Sequence, residues 1–244
     1  METLYYVSNT RFNFTYSRRK NHAKENEKRL KLIRPALRTL LVSDILVRFC
    51  EQIPYAFVVL WCMRVNGITP LQFGVLTTIE MVTAMIIYIP VAYLADRNTK
   101  KTFVVITFGF FTLFPLILLF SRTFWLMVIA FIIRGMKEFG EPTRKALIMD
   151  LAPEGKKATT FGMYYLIRDV IVSVAAFGGA FLWNASTSIQ VFNTLEIGHG
   201  LIPFIKSVAS PTTNFLTAFG FGVLGTLYFA FFGKDLKQVK EVIK

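Results

Sequence analysis

Residues Phe103–Phe120 read FVVITFGFFTLFPLILLF, eighteen residues without a single charge. Wound as an α-helix at about 1.5 Å per residue, such a run rises roughly 27 Å, close to the ~30 Å hydrocarbon core of a bilayer. Five more apolar segments of comparable length surround it: Thr39–Met63, Leu71–Leu94, Trp125–Lys145, Thr160–Trp183 and Phe215–Phe232. Those beginning at Trp125 and Thr160 contain several charges and are the weaker two on hydropathy alone. Composition points the same way. The chain is 54% hydrophobic and 18% charged, with mean hydropathy +0.49, whereas a soluble domain of this size carries about 25% charged residues.

These segments predict an all-α integral membrane protein of six transmembrane helices, near 39–63, 71–94, 103–120, 125–145, 160–183 and 215–232, within a domain at 39–233. A basic tail at 1–38 precedes it and a short tail at 234–244 follows. The first tail holds ten Lys or Arg against Glu2, Glu25 and Glu27, a net +7. Just before a spanning helix, that charge reads as a cytoplasmic signal that touches anionic lipid. No recognition motif accompanies it, so nucleic acid is not an expected partner.

The connections carry the same asymmetry. Arg97, Lys100 and Lys101, then Arg144, Lys145, Lys156 and Lys157, fall on one side with the N-terminal tail and with Lys234, Lys237, Lys240 and Lys244. The opposite loops offer Arg64, Arg122 and Lys206. With six crossings every basic cluster lies inside, and both termini are cytoplasmic. The last outer connection, near Asn184–Asn214, is long; Leu195–Val208 fits a short interfacial helix and Asn184-Ala185-Ser186 a glycosylation acceptor. Cys50 and Cys62 share one helix, about 18 Å apart, too far for a disulfide. The polar, basic opening does not resemble a cleavable signal peptide.

Ionisable groups at membrane depth are costly, about 2.5–3.5 kcal/mol each on insertion scales, and so must pair or meet water. Asp44, Arg48 and Glu51 share a narrow face of the first helix at 100° per residue, spaced for i,i+4 and i,i+3 ion pairs. Arg134, Lys137, Glu138 and Glu141 share a face of the fourth. Glu80 stands alone in the second, and Arg168 and Asp169 adjoin in the fifth. Arg48, Glu80, Arg134 and Arg168 each sit about 12–14 Å into their segments, near mid-bilayer. Helices one, two, four and five are therefore expected to border a polar interior, with the uncharged third and sixth facing lipid. Arg48, Glu51, Glu80, Arg134, Glu138 and Arg168 are the candidates for a substrate or proton pathway; ion pairing that only fastens helices together is the competing use. Pro54, Pro90 and Pro115 are expected to interrupt helices one to three.

The segment Ala92-Tyr93-Leu94-Ala95-Asp96-Arg97-Asn98-Thr99-Lys100-Lys101 resembles the loop signature of the major facilitator superfamily, G-x-x-x-D-R-x-G-x-R/K. Asp96, Arg97 and Lys101 match; Ala92 and Thr99 stand where the signature has glycine. A second stretch is also similar to that family: Glu141-Pro142-Thr143-Arg144-Lys145-Ala146-Leu147-Ile148-Met149-Asp150, then Pro153-Glu154-Gly155-Lys156-Lys157 and Phe161-Gly162. The resemblance implies a cytoplasmic gating network of Asp96, Arg97, Lys101, Arg144 and Asp150. It also implies twelve spans in two six-helix halves with substrate between them. Six spans correspond to one half, and the basic stretch Arg11–Arg38, similar to the family's central linker, favours the C-terminal half.

The function expected is secondary transport of a small solute by alternating access across the cell membrane, with proton coupling an option and a second half or second copy as partner. The alternative is a truncated, non-transporting fragment or scaffold. An enzyme is not expected: no G-x-S-x-G or H-E-x-x-H occurs, neither histidine lies in a proposed span, and no metal or cofactor motif is present. No filter-like repeat suggests a channel. Impermeant labelling of tags at the two ends should reach both only from the cytoplasmic face; ends on opposite faces would refute the six-span reading.

Overall fold

A computed structural model describes the backbone of residues 35–97, 100–153, 155–183 and 209–234, and their side chains apart from those of 89 and 92–97. Residues 1–34 of the basic tail, the acceptor at Asn184 and the proposed interfacial stretch Leu195–Val208 lie outside the described residues, while 35–38, assigned to the tail from the sequence, are helical. All regular structure among the described residues is helical: α1 (35–52), α2 (Phe57–Leu60, continued by a π-helical turn Trp61–Val65), α3 (Pro70–Arg97), α4 (Lys100–Phe120), α5 (Phe124–Met136), a 3₁₀ turn (Lys137–Gly140), α6 (Glu141–Asp150), α7 (Lys157–Trp183) and α8 (Pro211–Phe232).

Among the described residues, five stretches are long and apolar enough to cross a membrane: Pro35–Val65, Pro70–Tyr88, Lys100–Phe120, Lys157–Trp183 and Pro211–Phe232. The segment predicted at Trp125–Lys145 is divided between α5 and α6. Its break has a local cause. Pro142 has no N–H to donate and sits in the first turn of α6, so the helix restarts there after the 3₁₀ turn. Pro54 acts likewise in the first span: Tyr55 N donates to Gln52 O at 3.3 Å and Phe57 N to Pro54 O at 2.8 Å, making a turn between α1 and α2. Pro90 and Pro115, expected to interrupt their helices, lie inside α3 and α4 without breaking them. Ser210 caps α8 by accepting from Thr213 N at 3.1 Å, with Pro211 in the first turn, so this helix starts four residues before the predicted Phe215.

The helices close around two large apolar clusters, with a small third of Ile53, Ala175 and Ala218. One gathers Val58, Trp61, Leu76, Phe114, Leu118, Met127, Phe131 and Phe215; the other gathers Leu40, Val47, Phe108, Leu147, Ile148, Tyr164 and Phe229. Along α5 and α6 the charged residues 134–144 fall between the two. The uncharged third span was expected to face lipid, but α4 is the most covered of the five: 56% of its span window is buried, against 6% for Pro70–Tyr88. It lies against α8 through Phe108–Phe229 and Thr112–Thr226 and against α5 through Phe114–Phe131.

Close approaches use glycine. A Cβ on Gly179 of α7 would meet the Ile53 carbonyl oxygen, freed in the α1–α2 turn, at 2.1 Å, whereas one on Gly178 would meet nothing within 4 Å. Backbone cannot yield as a side-chain tip can. Gly179→Ala should therefore lower stability by about 1–3 kcal/mol, with Gly178→Ala neutral or slightly stabilising. Thermal unfolding in micelles checks the contrast; equal midpoints would contradict this packing.

Candidate functional site

α1 and the α5–α6 pair run in opposite directions, and their charges meet in register. Asp44 pairs with Arg144, Arg48 Nη2 lies 3.5 Å from Glu141 Oε2, and Lys137 Nζ donates to Glu51 at 2.8 Å. Steps of four and three along α1 are matched by steps of three and four back along α6 and the 3₁₀ turn. Such spacing keeps each set on one stripe. Within α1, Arg48 also donates to Glu51 at 2.6 Å and lies 4.0 Å from Asp44, the local pairs expected from the sequence.

Two further helices complete the network. Glu80 of α3 lies 3.3 Å from Arg134 and 3.6 Å from Lys137. Arg168 of α7 lies 3.4 Å from Asp44 and donates to Asp169 at 2.8 Å, while Tyr164 OH donates to Asp44 at 3.1 Å. The candidates thus form tiers instead of one level. Asp44, Arg144 and Arg168 make one tier; Arg48 and Glu141 the next; Glu51, Lys137, Glu80 and Arg134 the last. Asp44 to Glu51 spans about 10 Å along α1.

Five acids (Asp44, Glu51, Glu80, Glu141 and Asp169) meet five bases (Arg48, Arg134, Lys137, Arg144 and Arg168). The half-exposed Lys145 also lies 3.6 Å from Glu141, so bases exceed acids by one. Asp44 and Arg144, 0% and 1% exposed, are buried against each other, each partner offsetting the other's loss of water. Acceptors run short all the same: Nε of both Arg48 and Arg144 is buried with no hydrogen-bond partner. Aromatic rings hold the cations from the side. Arg134 lies 5.1 Å from the Phe114 ring centre and 5.7 Å from Phe131, Arg48 5.0 Å and Lys137 5.9 Å from Phe111, and Arg168 4.2 Å from Tyr165.

At the last tier a cleft opens between α1, α2, α4 and α5. Glu51, Tyr55, Val58, Phe110, Phe111, Phe114, Arg134 and Lys137 line it, around free space of about 10 Å³, room for about one water.

Of the predicted pathway residues, Arg48, Glu51, Glu80, Arg134 and Arg168 come together in the ladder. Glu138 does not; it accepts from Tyr88 OH at 3.3 Å on the exposed side. Arg144, grouped with the cytoplasmic loop by the sequence, has its guanidinium buried on Asp44 and Glu141. Asp150 pairs with Lys100 at 2.6 Å. Lys101 lies in the first turn of α4, and the side chains of Asp96 and Arg97 lie outside the described residues. Asp44, Lys137 and Glu141 were visible as neighbours on charged faces but not chosen as site residues. The rings of Phe111 and Phe114 gave no signal, because α4 carries no charge between Thr102 and Phe120.

Apolar helices of spanning length, gathered around a densely ion-paired interior, define a multi-pass membrane protein built to keep charge from lipid. Residues 40–235 match the Major Facilitator Superfamily, and the chain belongs to that family of membrane transporters. No curated protein matches the chain.

Losing one acid should weigh very differently inside the ladder and outside it. Asp44→Asn leaves Arg144 and Arg168 without their shared carboxylate and should destabilise by about 3–5 kcal/mol. Asp150→Asn removes a half-exposed pair and should cost less than about 1 kcal/mol. Unfolding midpoints or folded yield in detergent check this; similar values for both variants would contradict the ladder.

Proposed function

We propose that the chain is a six-helix half, the C-terminal one, of a secondary transporter. It moves a small solute across the cell membrane by alternating access and acts with a second half or a second copy. The observation that carries the reading is the ion-pair ladder shared by α1, α3, α5–α6 and α7, with a cleft at one end lined by two of its cations. The fourth crossing is the composite α5–α6. Its residues Phe124–Asp150 rise about 40 Å at helical pitch, and with it both ends of the chain are cytoplasmic.

Arg48, Glu51, Glu80, Arg134 and Arg168 border the solute path, and Glu138 stands at its exposed edge with Tyr88. Asp96, Arg97, Lys101 and Asp150 form the cytoplasmic gate, linked by Arg144 to the interior. The two helix breaks, at Ile53–Ala56 and at Lys137–Gly140, occur on the two elements that build the ladder. Backbone that has left the helical ladder bends at little cost, so rocking of one ladder rail on the other concentrates there. Carboxylates facing a cleft are also where a coupling proton would bind.

A static scaffold is the second reading, favoured by the ladder's charges being paired with one another and the cleft's being narrow. Labelling separates the two. With Cys50 and Cys62 replaced by serine, an impermeant maleimide should modify Tyr55→Cys at the cleft from both right-side-out and inverted vesicles. Met85→Cys, on the exposed apolar face of α3, should react about tenfold more slowly, since thiols in hydrocarbon stay protonated. Equal, slow reaction of both would favour the scaffold, and reaction of Tyr55→Cys from one face alone would refute alternation.

A further inference from the structure

Among the acids whose side chains are described, Asp44, Glu51, Glu80, Glu141, Asp150 and Asp169 each lie in an ion pair. Glu138 does not. It accepts from the Tyr88 hydroxyl at 3.3 Å and meets no lysine or arginine among the described residues. The bases nearest it in sequence, Arg134 and Lys137, are engaged by Glu80 and Glu51. Lys145, half-exposed, lies on Glu141. Yet Glu138 sits about 21 Å into the composite α5–α6, near its middle.

A carboxylate at that depth calls for a countercharge, and its surroundings restrict the kind. Tyr88 is 40% exposed, and Met85 and Met81, one and two turns away on the same face of α3, are 70% and 60% exposed. A metal ion would have to exchange its water for a set of oxygen ligands. One carboxylate and one phenol do not supply that set, and among the described residues no three His, Cys, Asp or Glu gather to hold a metal. An organic ammonium needs less. Glu138 meets its charge, the Tyr88 ring offers a cation–π face, and the methionines give its body an adaptable apolar surface. From Tyr88 to Met81 is about 10 Å along α3, the length of one or two aromatic rings. Neither Glu138 nor Tyr88 lines the narrow cleft, so the cleft volume sets no limit on this ligand.

We infer that the solute is an amphiphilic organic cation. Its ammonium pairs with Glu138 over the Tyr88 ring, and its apolar body lies along Met85 and Met81, beside the acyl chains. This rests on the transport reading above and narrows it to a substrate class.

The full chain in nanodiscs can be titrated with benzyltrimethylammonium, whose charge is permanent, beside tetramethylammonium, benzyl alcohol and benzoate. Calorimetry reads affinity, and empty nanodiscs are the blank for partitioning. Benzyltrimethylammonium should bind about tenfold or more tighter than each of the other three. Glu138→Gln, which keeps the side-chain shape, should weaken it about tenfold or more and leave benzyl alcohol unchanged. Tyr88→Leu should weaken it about threefold, and Tyr88→Phe, which restores the ring, less. No cation binding, equal binding of benzoate, or cation binding that survives Glu138→Gln would overturn the inference. So would Glu138→Cys resisting maleimide in the chain lacking Cys50 and Cys62, since a partner's basic side chain would then cover this face. The vesicle labelling of Tyr55→Cys separates the failures. Labelling from both faces without cation binding sinks the substrate class alone, whereas labelling as slow as that of Met85→Cys sinks the transport reading itself.

Discussion

A charged side chain cannot remain against acyl chains unless another charge or water meets it, and this constraint organises the molecule. Ten ionised groups from four parts of the chain lie in or beside the apolar bundle. They persist there because α1 and α5–α6 present them in opposite directions at matching steps. A shift of one residue along either rail would set Asp44, Arg48 and Glu51 against the wrong partners and leave buried arginines uncompensated. Register, in this protein, is an electrostatic property.

Helix α4, uncharged from Thr102 to Phe120, is the complement of that ladder. Its Phe111 and Phe114 rings lie under Arg48, Lys137 and Arg134, and its other faces meet α5 and α8. It is buried because it supplies the apolar side of cations that would otherwise need still more carboxylates. The glycines of α7 and α8 belong to the same scheme. Gly179 seats on the open Ile53 carbonyl and Gly225 on Val47 and Ser43, drawing both helices onto α1 beside its charges.

Much of this was legible in the sequence. Apolar runs of about twenty residues gave the helices, and the i,i+3 and i,i+4 spacing of Asp44, Arg48 and Glu51 gave one rail with its local pairs. The other rail was seen as a face, but the pairing across helices was not. Depth counted from predicted helix ends placed Arg134 level with Arg168, whereas they occupy different tiers. The error arose because boundaries shift by several residues and because the Pro142 break divides the fourth segment. Arg144 was assigned to the loop by its place in a motif; the extra turn of α6 carries it inward to Asp44. The contribution of α4 had no sequence signature, since a ring that supports a guanidinium looks like any other membrane phenylalanine.

The pairing of the two rails is best tested by a double-mutant cycle at Glu51 and Lys137, using Glu51→Gln and Lys137→Met in the full chain and reading unfolding free energy in micelles. The ladder predicts that the two changes are strongly non-additive, with a coupling of about 1–3 kcal/mol and the double variant more stable than the sum of the single losses allows. Effects that simply add would mean that α1 and α5–α6 do not meet in this register, and the account built on it would fail.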